Sequence, residues 1–328
     1  GSSDKMQLVQ YGQTYESRPQ ILAYISTPEN LQKLETIRTQ NIARSTGLIT
    51  INEEIEDIAI VWLSFNVHGN EAAGSESSMP VLYELVSTDR AAQWLKNTLV
   101  VLDPCINPDG YSRYTHWNRR YANTRLTPDP NSIEHNEPWP GGRANHYFFD
   151  LNRDWAWQTQ QETQNRMKKY LEWLPHIHVD FHEMGYTSPY YFAPAARPYH
   201  AYLTDWQRSF QQTIGENHSK YFAENGWLFY TREVFDLLYP SYGDTYPLYH
   251  GAIGMTYEQG GSGRASRAIF LPTGDTLTLH DRVAHHVTTA LSTVEIGSIH
   301  AQDLIKNFED FYITSRTKTP GEFEAYLL

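Results

Sequence analysis

Residues 58–71 read Ile58-Ala59-Ile60-Val61-Trp62-Leu63-Ser64-Phe65-Asn66-Val67-His68-Gly69-Asn70-Glu71. The first ten are almost continuously apolar and rich in β-branched side chains, interrupted only by Ser64 and Asn66. Such a run is expected of a strand covered on both faces, and it is far too short to cross a bilayer. Thr98–Asp103 reads as its companion strand, and Glu71–Val86 carries a helical pattern between the two. Strand, helix and strand make a βαβ unit, which sets the fold class.

Working outward, Ile21–Ser26 reads as a short strand and Asn30–Ala43 as a helix started by Pro28. Gln158–Leu174 reads as an amphipathic helix, His176–His182 as a strand, and Tyr202–Asn225 as a long helix ended by Gly226. Ile253–Glu258 is a further strand and Leu277–Glu295 a last domain helix. Residues 1–19 read as polar and irregular. Residues 107–145, rich in Asn, Pro, Gly, Arg and Tyr, read as a long functional loop. The expected architecture is α/β, a single domain over residues 1–300. Its central β-sheet is expected to be mixed but mostly parallel, with helices on both faces. Residues 301–328 are expected to form a C-terminal extension: a charged helical stretch, then 317–321, then an apolar end at Ala325–Leu328. That apolar end suggests a longer native chain that continues into a further region.

The chain has 328 residues, 40% hydrophobic and 20% charged, as a globular protein with a sizeable core requires. A net charge of −12 with no basic stripe sets nucleic acid aside as a partner. The single Cys105 leaves no internal disulfide and no thiolate zinc knuckle, so a metal must be held by His and carboxylate. Nine Trp and 23 Tyr fit either packing or an aromatic-lined cleft for peptide or sugar. Gly1-Ser2-Ser3 without an initiator Met suggests a trimmed chain, and a removed leader would make the protein secreted or periplasmic.

Catalytic residues of open α/β sheets gather beyond the carboxyl ends of strands. His68-Gly69-Asn70-Glu71 is an H-x-x-E pair in that position, where two ligands can converge on one ion and Gly69 lets the backbone turn. Alone the pair is also compatible with simple helix capping. A catalytic zinc takes three protein ligands, so a third must come from another strand. His182 ends the run His176-Ile177-His178-Val179-Asp180-Phe181-His182, where the sheet opens; His178 is the competitor. Asp180 or Glu183 could orient a ligand by accepting its second N–H. No second His follows His182-Glu183 at the spacing of an H-E-x-x-H helix site.

These segments resemble those of the zinc carboxypeptidase family, the metallocarboxypeptidases related to carboxypeptidases A, B and D. The likeness runs through Tyr11-Gly12-Gln13-Thr14-Tyr15-Glu16-Ser17-Arg18-Pro19, His68-Gly69-Asn70-Glu71, Asn107-Pro108-Asp109-Gly110, Asp150-Leu151-Asn152-Arg153-Asp154-Trp155 and Met255-Thr256-Tyr257-Glu258. It implies a zinc carboxypeptidase-like fold and one zinc ion on His68, Glu71 and His182. It also implies that Asn152 and Arg153 anchor the free C-terminal carboxylate of a peptide substrate. Arg143, in Gly142-Arg143, stands nine residues before Asn152, where the carboxypeptidase D-like branch places the Arg that polarises the scissile carbonyl. Arg119, Arg120 and Arg125 are held in reserve for that role. Glu258, after a hydrophobic strand, is the expected base that takes a proton from water and delivers it to the leaving amine. Gly243-Asp244-Thr245-Tyr246 resembles the region whose mobile Tyr covers the substrate, with Tyr246 first and Tyr242 second.

The chain departs from the family at Asp180-Phe181-His182-Glu183-Met184-Gly185, beside the metal, and at residues 260–267, where Arg264 and Arg267 have no clear counterpart. The expected activity is hydrolysis of the C-terminal peptide bond by water activated on zinc. Its rivals are a related zinc hydrolase of cell-wall peptides or N-acyl amino acids, and a silent peptide- or glycan-binding module of the same fold.

Overall fold

A computed structural model describes residues 3–48 and 56–317. The main sheet has eight strands: β1 (Met6–Gln13), β2 (Pro19–Ile25), β3 (Ala59–Phe65), β4 (Thr98–Asp103), β5 (Ile177–Met184), β6 (Tyr190–Tyr191), β7 (Phe229–Tyr230) and β8 (Ile253–Gly260). Their order across the sheet is β1-β2-β4-β3-β5-β8-β6-β7. The four central strands run parallel, while β1 against β2, β2 against β4 and β6 against β8 are antiparallel. The sheet is thus mixed with a parallel centre.

Alternation along β3 feeds two cores. Val61, Leu63 and Phe65 join the layer formed by helices α2 (Ala72–Ser87), α5 (Asp205–Asn225) and α6 (Leu279–Ile299). Ile60 and Trp62 join the opposite layer, with α1 (Leu34–Thr46), α4 (Gln161–Trp173) and α7 (Ala301–Thr317). Every residue of β3 is buried, as the continuous apolar run requires. α7 packs onto this second core through Phe308, and Arg44 of α1 pairs with Glu309 at 2.6 Å. Residues 318–328, including the apolar end at 325–328, lie outside the described residues. Among the described residues no helix is long and apolar enough to cross a membrane.

Two expectations are corrected. Residues 6–13 are not irregular but form edge strand β1. A register shift between Gln10 and Gly12 breaks the two-residue period that would have revealed it. Pro108–Tyr121, expected as loop, is helix α3. Asp109, Gly110 and Tyr114 make its buried face, so it lacks an aliphatic stripe. The signal was its cap: the Asn107 side chain accepts the Gly110 N–H at 2.9 Å and Pro108 opens the first turn.

Candidate active site

The carboxyl ends of β3, β5 and β8 lie side by side, with Phe65 opposite Phe181 and Glu258 opposite His182. Beyond β3, Asn66 takes a left-handed conformation (φ 60°). Its amide then donates to the carbonyls of His68 at 3.0 Å and Glu71 at 3.1 Å. This one side chain ties the H-x-x-E turn into a fixed loop. Gly69 is required there by close approach. A Cβ on it would lie 2.1 Å from the Tyr111 nitrogen and 2.6 Å from the Gly142 carbonyl oxygen. Because these backbones touch, α3 and the Gly142-Arg143 segment are seated directly against the turn.

His68, Glu71 and His182 converge. Their potential ligand atoms lie within 4.8 Å of one another and all three residues are buried. Nδ1 of His68 lies 2.8 Å from Glu71 Oε1, and Nδ1 of His182 lies 3.1 Å from Glu71 Oε2. The opposite ring nitrogens face carboxylates: His68 Nε2 meets Asp150 Oδ1 at 2.9 Å, and His182 Nε2 meets Asp180 Oδ2 at 3.0 Å. A carboxylate on Nε2 leaves the Nδ1 lone pair free for a metal. Two imidazoles and one carboxylate, each imidazole so oriented, are a donor set that fits zinc.

The electrostatics agree with a cationic centre. Burial alone would raise the Glu71 carboxyl, but the two histidines outweigh it and hold it well below its ordinary range. Burial likewise opposes the shift at Asp150, where the His68 hydrogen bond and charge, with Arg143 and Arg153, hold the carboxylate low. Burial disfavours charge on His182, yet Asp180 and Glu71 raise its pKa well above the usual imidazole value. Glu258 goes the other way: burial, reinforced by Glu71 and Asp180 against the pull of His182, raises its carboxyl.

A cavity of about 420 Å³ opens at these strand ends. His68, Glu71, Arg143, Asn152, Arg153, His182 and Glu258 all line it, so seven of the eight first-choice residues from sequence are brought together. The Arg143 guanidinium donates to Asp150 Oδ2 at 3.0 and 3.1 Å and reaches Glu71 Oε1 at 3.3 Å. Asn152 accepts the Gly243 N–H at 2.9 Å, and its amide nitrogen lies 3.1 Å from His182 Nε2. The Arg153 guanidinium stacks over the Tyr242 ring at 4.5 Å.

Tyr246 is the exception. It packs among Trp155, Tyr170 and His250 and does not line the cavity; Tyr242 does. The reason is local: Tyr246 N–H donates to the Tyr242 carbonyl at 2.9 Å, and the turn over Tyr246–His250 directs its ring into the second core. His178, the competitor for third ligand, is also away from the site. It lies inside β5 with Nε2 3.0 Å from Ser64 Oγ. Arg119, Arg120 and Arg125 do not line the cavity. Of the two candidate orienting carboxylates, Asp180 meets His182, whereas Glu183 accepts from the Ala73 N–H at 2.8 Å and from Arg282 at 2.8 Å.

Sequence reasoning assigned no role to Asp150, Asn66 or Asp244. Asp150 bridges His68 and Arg143, and its place at the head of the family-like segment 150–155, two residues before Asn152, was the available signal. Asp244 lines the cavity, and burial, with Asp180 nearby, raises its carboxyl to about 6.

A profile of the family described as zinc carboxypeptidase matches residues 2–172. Carboxypeptidase 2 of Trichophyton rubrum is 30% identical over 124 residues, which cover 38% of this chain and 18% of that protein. Probable carboxypeptidase 2 of Arthroderma benhamiae matches over the same extent. The match therefore spans under a fifth of these relatives' length. Among solved structures, a metallo-carboxypeptidase from Burkholderia cenocepacia superposes with a TM-score of 0.59 at 15% identity, covering 91% of this chain and 65% of that one. A carboxypeptidase A from Helicoverpa armigera gives a TM-score of 0.59 at 12% identity, covering 91% and 70%. At such identities the likeness is one of fold.

Proposed function

The chain belongs to the zinc carboxypeptidase family, and from that premise we propose that it hydrolyses the C-terminal peptide bond of peptides. The observation that carries the reading is the convergence of His68, Glu71, His182, Glu258, Arg143, Asn152 and Arg153 on one cavity. The two histidines and Glu71 would hold one zinc ion. Bound there, zinc supplies a Lewis acid for the carbonyl and lowers the pKa of water.

The chain's own groups then divide the remaining work. Glu258, its carboxyl raised by burial, takes the proton of the attacking water and returns it to the leaving amine. Arg143, half-exposed to the cavity and braced by Asp150, donates to the oxygen on which charge develops. Asn152 and Arg153 hold the substrate's terminal carboxylate, which a planar guanidinium can grip through two parallel N–H bonds. Tyr242, stacked under Arg153, takes the covering role expected of Tyr246. These assignments orient the substrate, with its last residue on the Arg153 side and its upstream residues on the far side of Arg143.

The test is release of C-terminal residues from a defined peptide library by the zinc-loaded protein, with and without a chelator. Chelator-sensitive release of single terminal residues is the expected result. Release insensitive to the chelator, or none from peptides whose terminal carboxylate is free, refutes the reading.

A further inference from the structure

A second cavity, of about 340 Å³, lies beside the first and shares Ser262 with it. It is lined by Asn70, His135, Asn136, Glu137, Ser262, Gly263 and Arg264. These come from the residue before the ligand Glu71, from the loop before Arg143, and from the segment after β8 that has no clear family counterpart. Ser262, which lines both cavities, has a positive φ of 36°, a sparsely populated backbone state for a residue other than glycine.

Glu137 is the fixed feature of this space. Its Oε1 accepts the Gly142 N–H at 2.6 Å and its Oε2 accepts the Asn70 amide at 2.9 Å. Both donors belong to segments of the reaction centre, since Gly142 precedes Arg143 and Asn70 precedes Glu71. The carboxylate is therefore held at a set position relative to the proposed scissile bond. Asn70 Nδ2 is committed to Glu137, so what the carboxylate offers the cavity is capacity to accept hydrogen bonds. No ion pair among the described residues includes Glu137, and burial outweighs its two hydrogen bonds and the pull of Arg113 in raising its carboxyl. Arg113 acts on Glu137 without forming an ion pair, so a cation placed in the cavity would gain a direct one with this half-buried carboxylate. Arg264 on the opposite wall makes a competing claim for an acidic group. Its guanidinium, however, is exposed, stacks on Tyr186 at 5.6 Å, and turns one nitrogen to Asn136 Oδ1 at 3.3 Å.

We propose that this cavity is a subsite for a cationic nitrogen of the substrate, upstream of the bond to be cut, with Glu137 as its counter-ion. The direction rests on the peptidase reading above; the charge preference rests on the cavity alone. The cation is either a Lys or Arg side chain in the residues before the terminal one, or the free α-ammonium of a short peptide.

The experiment separates the binding claim from the reaction. Tripeptides whose terminal bond is N-methylated, and so resists hydrolysis, are titrated calorimetrically into the zinc-loaded protein. Their upstream residue is Lys, norleucine or Glu, and the amino terminus is free or acetylated. A partly buried ion pair should favour the cationic form roughly tenfold over its neutral counterpart. Whether acetylation or norleucine removes the advantage identifies the source of the cation. Glu137→Gln should bring the forms to within about twofold, while Arg264→Gln, on the exposed wall, should preserve or increase the cation preference. Equal binding of all forms by the wild type overturns the proposal, as does a preference for Glu or one that Glu137→Gln leaves intact. If the preference holds but the corresponding unmethylated peptides are never shortened, the subsite stands and the peptidase reading falls.

Discussion

Replacing Asp150 by Ala removes one carboxylate from three tasks: facing His68, bracing Arg143 and capping the Asn152 N–H at 2.9 Å. Asp150 Oδ1 meets His68 Nε2 at 2.9 Å, while Oδ2 receives two Arg143 nitrogens at 3.0 and 3.1 Å. Loss of a carboxylate behind a metal-bound imidazole typically weakens metal affinity 10–100-fold, or about 1.4–2.7 kcal/mol. The Arg143 side chain is 43% exposed, so its pairing with Asp150 contributes at most about 1 kcal/mol to folding. Loss of the Asn152 cap adds about 1 kcal/mol, so the expected signature is a large fall in zinc affinity and kcat/KM with a fall in stability of about 2 kcal/mol or less. Zinc affinity is read by competition with a chromophoric chelator, and stability by denaturant unfolding of the metal-free protein. Asp150→Asn refines the test: its carbonyl can still accept from His68 but no longer braces the Arg143 charge. It should recover most of the zinc affinity and little of the activity. An Asp150→Ala protein that binds zinc within twofold of wild type would refute the reasoning.

Glu258→Gln should lower kcat by about 10²–10⁴ and leave the zinc stoichiometry intact, measured by peptide turnover and metal analysis; full activity would remove Glu258 as the base. Gly69→Ala should destabilise the fold by about 3 kcal/mol or more, because the added carbon meets backbone at 2.1 Å, which has no flexible end to move; an unchanged unfolding midpoint contradicts the close approach. Burial raises the Asp103 carboxyl from 3.8 to about 7, so the folded state keeps a proton that the unfolded chain has released. Stability should then fall as pH rises from about 4 to 7, by an upper limit on the order of 4 kcal/mol, and Asp103→Asn should flatten that slope in denaturant titrations at several pH values.

The periodicity of residues 58–67 was sufficient for the parallel centre of the fold, since a run apolar on both faces has one stable place, inside a sheet covered twice. His68, Glu71, His182 and Glu258 could be placed at one end of the sheet from sequence because polar side chains at or just past the carboxyl ends of buried strands face its open end. Strand β1 and helix α3 were not legible. A bulge hides the period of the first, and the second buries Asp109, Gly110 and Tyr114 in place of an aliphatic stripe.

Choices among like residues were beyond the sequence. Tyr242 over Tyr246, Asp180 over Glu183, and Asp150 as the carboxylate that serves both His68 and Arg143 depend on contacts between segments far apart in the chain. Chemical type and strand position are local properties, and they named the kinds of residue the site needs. Which copy of each kind faces the cavity follows from how turns and backbones pack in three dimensions, as Gly69 against Tyr111 and Gly142 illustrates. Only the tertiary structure decided that.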